Sequence, residues 1–350
     1  MRFLFKLFLI PVIALFLFAV GCSNENSEKG KNKTAVVAKN VPQVEPLNIS
    51  KETTLLLKDL AENGDYVNGR EFPSLIKASA VHDLLGKNIH IIDIRSAQEY
   101  SEGHIQGAVN KDFIDLPGYF ELGIKPFEFD RIILISTDGQ VSSYTTSLLR
   151  LMGYGNVYSM RWGMSGWNNI YAEKGWFAAC SSDFQNQLEE EINDKPTSSG
   201  MPVLDTGKST GEQIGQLRFK QLFSEGLDNV MVNASDVFLI PQNYYIINYD
   251  RRDKYESGHI PGAIRYKPGA TLSIVEEMVT IPSDKIVVIY CGTGHNSGFV
   301  TAYLRLFGYD ARTLKYGNNG FMYDRMVEDR TTLSWLPFTK SDVNDYEVVK

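Results

Sequence analysis

The residues best suited to chemistry lie between Ile286 and Ser297. An apolar run, Ile286–Tyr290, leads into Cys291, and the small-residue segment Gly292-Thr-Gly-His-Asn-Ser297 follows it. A helical pattern covers 298–307, so the order predicts a buried strand, a tight loop and a helix, with the thiol at the carboxyl end of the strand. Loop amides and a helix N-terminus favour a thiolate or a bound anion there. A buried cysteine that merely ends a core strand fits the same local sequence.

An internal duplication organises the chain. Segment 91–110, IIDIRSAQEYSEGHIQGAVN, matches segment 246–265, IINYDRRDKYESGHIPGAIR, at an offset of 155 residues. At the same offset, 132–135 matches 287–290, and 149–154 matches 304–309. A constant offset over this length indicates two copies of one domain.

Each copy predicts an α/β fold. In the first copy we expect helices at 80–85 and 143–152 and strands at 90–94, 132–135 and 157–160. Strands that alternate with helices predict a parallel sheet flanked by helices. Functional sites of such sheets lie at the carboxyl ends of the strands, where Ser136 and Cys291 fall.

The repeats set the domain boundaries. We predict a first repeat at 72–182, a linker with helices at 183–228 and a second repeat at 229–340. Helices are expected in the linker at 184–192 and 213–223. A helix at 55–64 would give the first repeat a helical arm of its own, within a polar tether that covers 22–71.

The N-terminus resembles an export signal. A basic start with Arg2 and Lys6 precedes an apolar stretch at 7–20, so 1–21 is predicted to be a signal peptide. Ala19-Val-Gly-Cys22 resembles the lipobox of bacterial lipoproteins, although Ala19 stands where leucine is usual. The resemblance implies cleavage before Cys22, lipidation of that thiol and a membrane-anchored place in the cell envelope, on the periplasmic or extracytoplasmic face. The alternative is an ordinary signal or anchor with an incidental cysteine.

Charge and cysteine content exclude several classes of function. The formal net charge is −7, and loss of Arg2 and Lys6 with the signal would make the chain more acidic, which argues against nucleic-acid binding. With Cys22 lipidated, Cys180 and Cys291 are the remaining thiols, which either pair or stay free. No Cys and His cluster has zinc-site spacing, so no structural metal is expected.

Several motifs, in order and twice, resemble the rhodanese-like sulfurtransferases. The first copy holds Asp93-Ile-Arg95, the segment 99–108, Met152-Gly-Tyr154 and Gly163-Met-Ser-Gly-Trp167. The resemblance covers about 72–180 and 229–325. It implies two tandem rhodanese-like domains, each a parallel sheet flanked by helices, with the family's sulfur-carrying cysteine at Cys291. In the first copy Ser136 stands at that position, and a hydroxyl cannot form a persulfide.

The resemblance also implies the residues that contact the substrate. The loop residues are Gly292, Thr293, Gly294, His295, Asn296 and Ser297, and Lys254 stands where two-domain relatives place a basic substrate contact. Asn296 replaces an arginine that many relatives have, so a protonated His295 is one candidate for stabilising the thiolate, and loop shaping is the other. Ser297 occupies the position at which related cysteine phosphatases clamp phosphate with arginine, which argues against phosphatase activity.

The implied activity is sulfur transfer without a cofactor. The donor would be thiosulfate or another sulfane compound, and the acceptor a thiol or cyanide. The alternatives are a sulfur carrier, a sensor or a module that binds an envelope protein, and redox work through a Cys180–Cys291 disulfide. His104 and His259, each in Gly-His-Ile-x-Gly-Ala, are expected to make structural hydrogen bonds.

Overall fold

A computed structural model describes residues 49–269, 271–273, 277–329 and 335–350. The helices and strands of its first half, in chain order, are α1 (Lys51–Glu62), β1 (Leu75–Ile76), α2 (Ala78–His82), β2 (Ile89–Asp93), α3 (Ala97–Glu102), β3 (Ala108–Asn110), α4 (Leu116–Gly118), β4 (Arg131–Ile135), α5 (Gln140–Leu151), β5 (Val157–Met160), α6 (Met164–Trp167), α7 (Asn169–Lys174) and α8 (Trp176–Ala179).

The second half repeats this order with fewer helices. Its elements are α9 (Gly211–Glu225), β6 (Met231–Val232), α10 (Ala234–Leu239), β7 (Tyr244–Asn248), α11 (Arg252–Glu256), β8 (Ile264–Arg265), β9 (Ile286–Tyr290), α12 (His295–Leu306), β10 (Ala311–Leu314) and α13 (Tyr323–Glu328). Short 3₁₀ turns join several of them, and one of these, Gly317–Gly320, follows β10.

Two five-stranded sheets carry the fold. Their strand orders are β1-β5-β4-β2-β3 and β6-β10-β9-β7-β8, and every strand pairing is parallel. The central strands β4 and β9 are apolar and buried at all but their first residue, as expected where helices cover both faces. The predicted α/β fold with two tandem parallel sheets is confirmed.

The helices after the central strands begin earlier than predicted. α5 starts at Gln140 and α12 at His295, each three residues before the predicted start. Gly139 and Gly294 precede them with φ of +87° and +75°, a left-handed conformation that glycine adopts at no steric cost. The connecting loops are therefore only four residues long, and we call 136–139 the serine loop and 291–294 the cysteine loop.

The segment 184–192 is not the helix that its sequence predicts. Phe184 stacks on Phe238 with ring centroids 4.4 Å apart. Further along, Glu189 and His259 exchange two backbone hydrogen bonds of 2.9 and 3.0 Å as an antiparallel bridge. Packing against the second repeat thus overrides the local helical propensity, as tertiary contacts commonly do. The helices predicted at 55–64 and 213–223 are present as α1 and α9, and they pack against each other.

The repeats share one apolar core. A single buried cluster joins α1, α5, α9 and α12 to one face of each sheet. α5 and α12 approach closely at Gly298, where an added Cβ would lie 3.0 Å from the carbonyl oxygen of Gln140. Ser147 Oγ also donates to the carbonyl of Phe299 at 2.9 Å. The helices that follow the two loops are therefore packed directly on each other.

The predicted signal peptide, Cys22 and most of the tether lie outside the described residues. Within the described residues, no helix combines the length and apolar character needed to span a membrane. The same part of the chain holds no group of three or more His, Cys, Asp or Glu residues that could hold a metal ion.

Candidate active site

Cys291 lies at the carboxyl end of β9, between the strand and α12. It is 3% exposed, and its Sγ lies 3.8 Å from Ser297 Oγ in the first turn of α12. Ser297 is fully buried and 2.5 Å from Thr313 Oγ1 of β10. The residue at the phosphatase arginine position is thus a satisfied core hydroxyl beneath the thiol.

The serine loop shows how these loops hold an electronegative atom. Ser136 Oγ accepts the backbone N–H of Gly139 at 3.0 Å and that of Ser142 at 3.3 Å. It also donates to Ser142 Oγ at 3.0 Å. By the repeat offset, Cys291 Sγ occupies the place of this oxygen. Inward-facing amides of this kind form an anion-binding concavity.

A glycine from the loop after the last strand supports each of these loops. Gly317 has φ of +51°, and a Cβ added there would lie on the Cys291 carbonyl oxygen and 2.7 Å from the Gly294 nitrogen. Gly163 has φ of +55° and the same relation to Ser136 and Gly139. Both positions require glycine, for conformation and for close approach.

Lys254 is placed beside the cysteine loop. Its Nζ donates to Asp250 Oδ1 at 3.1 Å, and both side chains are less than a tenth exposed. A Cβ added to Gly292 would lie 3.5 Å from this Nζ. Burial raises the pKa of the Asp250 carboxyl, and the Lys254 ammonium opposes that shift. The charge of Lys254 is therefore largely balanced within the protein.

The second repeat has replaced one buried ion pair with another. In the first repeat Arg95 Nη2 lies 2.6 Å from Asp93 Oδ2. Asn248 stands at the position of Asp93, and Asp250 at the position of Arg95. The loss of the Asp/Arg pair is thus accompanied by the new Asp250–Lys254 pair, which faces the loop.

His295 joins the two repeats. Its Nε2 lies 3.3 Å from the backbone nitrogen of Trp162, and its Nδ1 lies 2.8 Å from Thr293 Oγ1. Gln140, at the equivalent position of the first repeat, accepts the backbone N–H of Tyr316 at 2.6 Å. Each repeat thus presents a side chain to the backbone that follows the last strand of the other.

The environment of His295 keeps its imidazole neutral. Burial, together with the nearby Arg161 guanidinium, lowers the pKa of His295 to about 3. The lowered pKa disfavours the protonated His295 that was one candidate for stabilising the thiolate, and the contacts of His295 fit the other candidate, loop shaping. Desolvation disfavours the charged imidazole, as expected for a buried histidine.

A cavity of about 110 Å³ opens on the thiol between the repeats. It brings together Cys291, Gly292, Thr293, Asn296 and Lys254 of the predicted site, whereas Gly294, His295 and Ser297 do not line it. The first repeat contributes Pro73, Leu75, Arg161 and Trp162, and Asp250 and Leu336 complete the wall.

Sequence reasoning did not identify Arg161. It follows β5, and its contribution to the cavity depends on how the repeats dock, which the local sequence does not specify. The available signal was a basic residue at the same place in both repeats, since Lys315 follows β10 as Arg161 follows β5.

Other residues singled out by sequence have structural surroundings. Nδ1 of His104 and of His259 lies 3.0 and 2.8 Å from the carbonyl oxygens of Tyr100 and Tyr255, which confirms their structural hydrogen bonding. Cys180 and Cys291 are both free thiols. Burial raises the pKa of Cys180 to about 12, which leaves it a poor nucleophile.

Comparison with known proteins agrees with this geometry. A family model described as "Rhodanese-like domain" matches residues 77–170 and 239–324. The thiosulfate sulfurtransferase GlpE of Pseudoalteromonas translucida is 33% identical over 94 residues, which are 26% of this chain and 86% of that protein.

Other similar proteins have different names or weaker likeness. A tRNA uridine(34) hydroxylase of Prochlorococcus marinus is 26% identical over 189 residues, 50% of this chain, and the match spans only 54% of the hydroxylase. A crystal structure of a thiosulfate sulfurtransferase from Pseudomonas aeruginosa is 17% identical to this chain. The match covers 72% of this chain and 44% of that one, with a TM-score of 0.28. From the matched family model, which finds the domain in both repeats, the chain belongs to the family of proteins with rhodanese-like domains.

Proposed function

We propose that the chain is a sulfurtransferase that carries sulfane sulfur on Cys291. The observation that supports this best is the position of the thiol, at a strand end, under a small cavity that two basic side chains line. The first repeat has the same loop with Ser136, so it serves as a wall of the site and takes no sulfur itself.

The first step is attack of the Cys291 thiolate on the outer sulfur of thiosulfate. A bond forms between Sγ and that sulfur, the sulfur–sulfur bond of thiosulfate breaks, and sulfite leaves with the bonding electron pair. The product is a Cys291 persulfide anion. The amides of Gly294 and Ser297, equivalent to those that Ser136 engages, are proposed to stabilise it, as preorganised donors do.

The second step returns the thiolate. A cyanide carbon or a thiolate sulfur attacks the terminal sulfur of the persulfide, and the Cys291 sulfur leaves with the electron pair. Cyanide gives thiocyanate, and a thiol gives its own persulfide. No redox cofactor is needed, since the sulfane atom passes from donor to acceptor.

A turnover assay tests the proposal. With thiosulfate and cyanide, we expect thiocyanate and sulfite in equal amounts from the intact chain and from Cys180→Ser, which removes the thiol outside the cavity. Cys291→Ser should produce neither. Turnover that survives in Cys291→Ser would refute the assignment.

A carrier or sensor is the second candidate, and Asn296 is the observation that favours it. Asn296 lines the cavity at a position where many relatives have arginine. The segment that follows Cys291 therefore provides no cation to the cavity. A Cys291 that gains sulfur while no thiocyanate accumulates would support this role.

We also propose that the chain is exported and anchored to the membrane through lipid on Cys22. This location would bring it into contact with proteins of the cell envelope. The basis is the sequence pattern at 1–22. Membrane fractionation of the intact chain and of Cys22→Ala tests this, since the variant should leave the membrane fraction.

A further inference from the structure

Across the interface between the repeats, each of the two loops faces a basic residue of the other repeat. Lys315 of the second repeat lies close enough to Asp138 of the serine loop to oppose the rise that burial causes in the pKa of Asp138. In the same way, Arg161 of the first repeat lines the cavity beside the cysteine loop of the second repeat, and its charge lowers the pKa of His295. Each repeat therefore directs a cation at the loop of the other.

The loops differ in the anion that meets that cation. In the serine loop Asp138 is buried, and its carboxylate accepts the Gln140 backbone N–H and side-chain amide, both at 2.8 Å. Thr293 occupies the position of Asp138 in the cysteine loop. The serine loop thus contains an acid that faces Lys315, whereas the cysteine loop contains no acid that faces Arg161.

The side chains of Arg161 and Lys254 differ in their partners. Among the described residues its guanidinium makes no hydrogen bond or ion pair, and Asp342 is the acid that acts on it. The Asp342 carboxylate already accepts the N–H and hydroxyl of Thr339, both at 2.9 Å. The other cation of the cavity, Lys254, is balanced by Asp250. Among the described residues, Arg161 is therefore the cation of the cavity that forms no ion pair with an acid, and the carboxylate that acts on it, Asp342, accepts its hydrogen bonds from Thr339.

We infer that Arg161 binds the anionic group of the sulfur donor in the Cys291 cavity, in the place that Asp138 fills in the first repeat. The inference rests on the proposed function, and it specifies the donor as a small anion such as thiosulfate. A guanidinium suits this task because its planar N–H groups match an oxyanion in a bidentate manner. The cation that many relatives carry at the position of Asn296 is then supplied by the other repeat.

A pair of alkylating reagents tests the anion site independently of sulfur transfer. Iodoacetate and iodoacetamide attack thiols at the same carbon, but only iodoacetate carries a charge. The rate for each is followed by mass spectrometry of the peptide that contains Cys291. In Arg161→Gln, the ratio of the iodoacetate rate to the iodoacetamide rate should fall about tenfold, since a charged cleft concentrates counter-ions by about that factor or more.

Two further variants make the test specific. Arg131→Gln removes the same charge from an exposed position at the amino end of β4, away from the loops, and should keep the wild-type ratio. Thr293→Asp copies the serine loop and should lower the ratio as Arg161→Gln does. An unchanged ratio in Arg161→Gln, or a Cys291 that neither reagent reaches, would overturn the inference.

Thiosulfate kinetics separate this inference from the proposed function. We expect Arg161→Gln to raise KM for thiosulfate with a smaller effect on kcat, and the Arg131→Gln control to change neither. If wild-type Cys291 accepts no sulfur while the alkylation ratio still falls, the anion site stands and sulfur transfer fails. If sulfur transfer proceeds with an unchanged ratio, the sulfurtransferase stands and the role of Arg161 fails.

Discussion

At the scale of single residues, the site depends on which charges are balanced. Lys254 has Asp250, and Arg161 has no partner within the described residues. His295, although it is next to both the loop and Arg161, is neutral because it is buried. The equivalent residue of the first repeat is Gln140, whose side chain does not titrate. We therefore assign His295 a structural role at the interface between the repeats.

The protonation of His295 predicts a dependence of stability on pH. In the unfolded chain the histidine has its ordinary pKa near 6.5, whereas in the folded chain the pKa is about 3. Between these values the unfolded state binds more protons, so the free energy of unfolding falls as the pH drops below 6.5. This residue should account for a loss of about 2 kcal/mol between pH 8 and pH 5.

His295→Gln tests that dependence, since glutamine keeps a hydrogen-bonding side chain and copies Gln140. Urea unfolding at pH 8 and pH 5 should show a smaller loss in the variant than in the wild type, by about 2 kcal/mol. Equal losses in both proteins would mean that His295 titrates normally in the folded state.

At the scale of elements, the loops depend on the turns that follow the last strands. Gly317 and Gly163 are backed against the two loops so closely that any side chain would displace loop backbone. Gly317→Ala should therefore destabilise the protein by about 1–3 kcal/mol and also slow sulfur uptake by Cys291, because the loop amides move.

Gly163→Ala is the matched control for that variant. It introduces the same clash beneath Ser136, where no sulfur chemistry is proposed, so the loss of stability should be similar and sulfur uptake largely preserved. Melting temperature and the rate of persulfide formation measure the two effects. A loss of uptake equal in both variants would show that general destabilisation, and no local role of the loop, explains the effect of Gly317→Ala.

At the scale of the whole molecule, the reciprocal contacts of Gln140 and His295 hold the repeats in the orientation that forms the cavity. Gln140→Ala leaves the half-buried N–H of Tyr316 without its acceptor and should cost about 1–3 kcal/mol. Gln216→Ala, on the exposed face of α9, should change the free energy of unfolding by less than about 0.5 kcal/mol in urea titrations. A similar small change in Gln140→Ala would show that this contact does not stabilise the interface.

The sequence predicts the fold of each repeat well, because the duplication and the strand-helix alternation are local patterns. The roles expected for Cys291 and Lys254 come from the resemblance to the rhodanese-like sulfurtransferases, which can be read within a single repeat. The sequence does not predict Arg161, whose place depends on docking of the first repeat, or the neutral state of His295, which depends on burial by Trp162 and its neighbours. The helix expected at 184–192 fails because contacts with the second repeat determine that segment.

The central claim is that Cys291 carries the transferred sulfur, and mass spectrometry tests it most directly. After incubation with thiosulfate and removal of excess donor, the peptide that contains Cys291 should gain one sulfur atom, and cyanide should remove it. Cys180→Ser should behave as the wild type, and Cys291→Ser should gain nothing. A wild-type peptide that remains unmodified, or a sulfur atom found on Cys180 instead, would contradict the account.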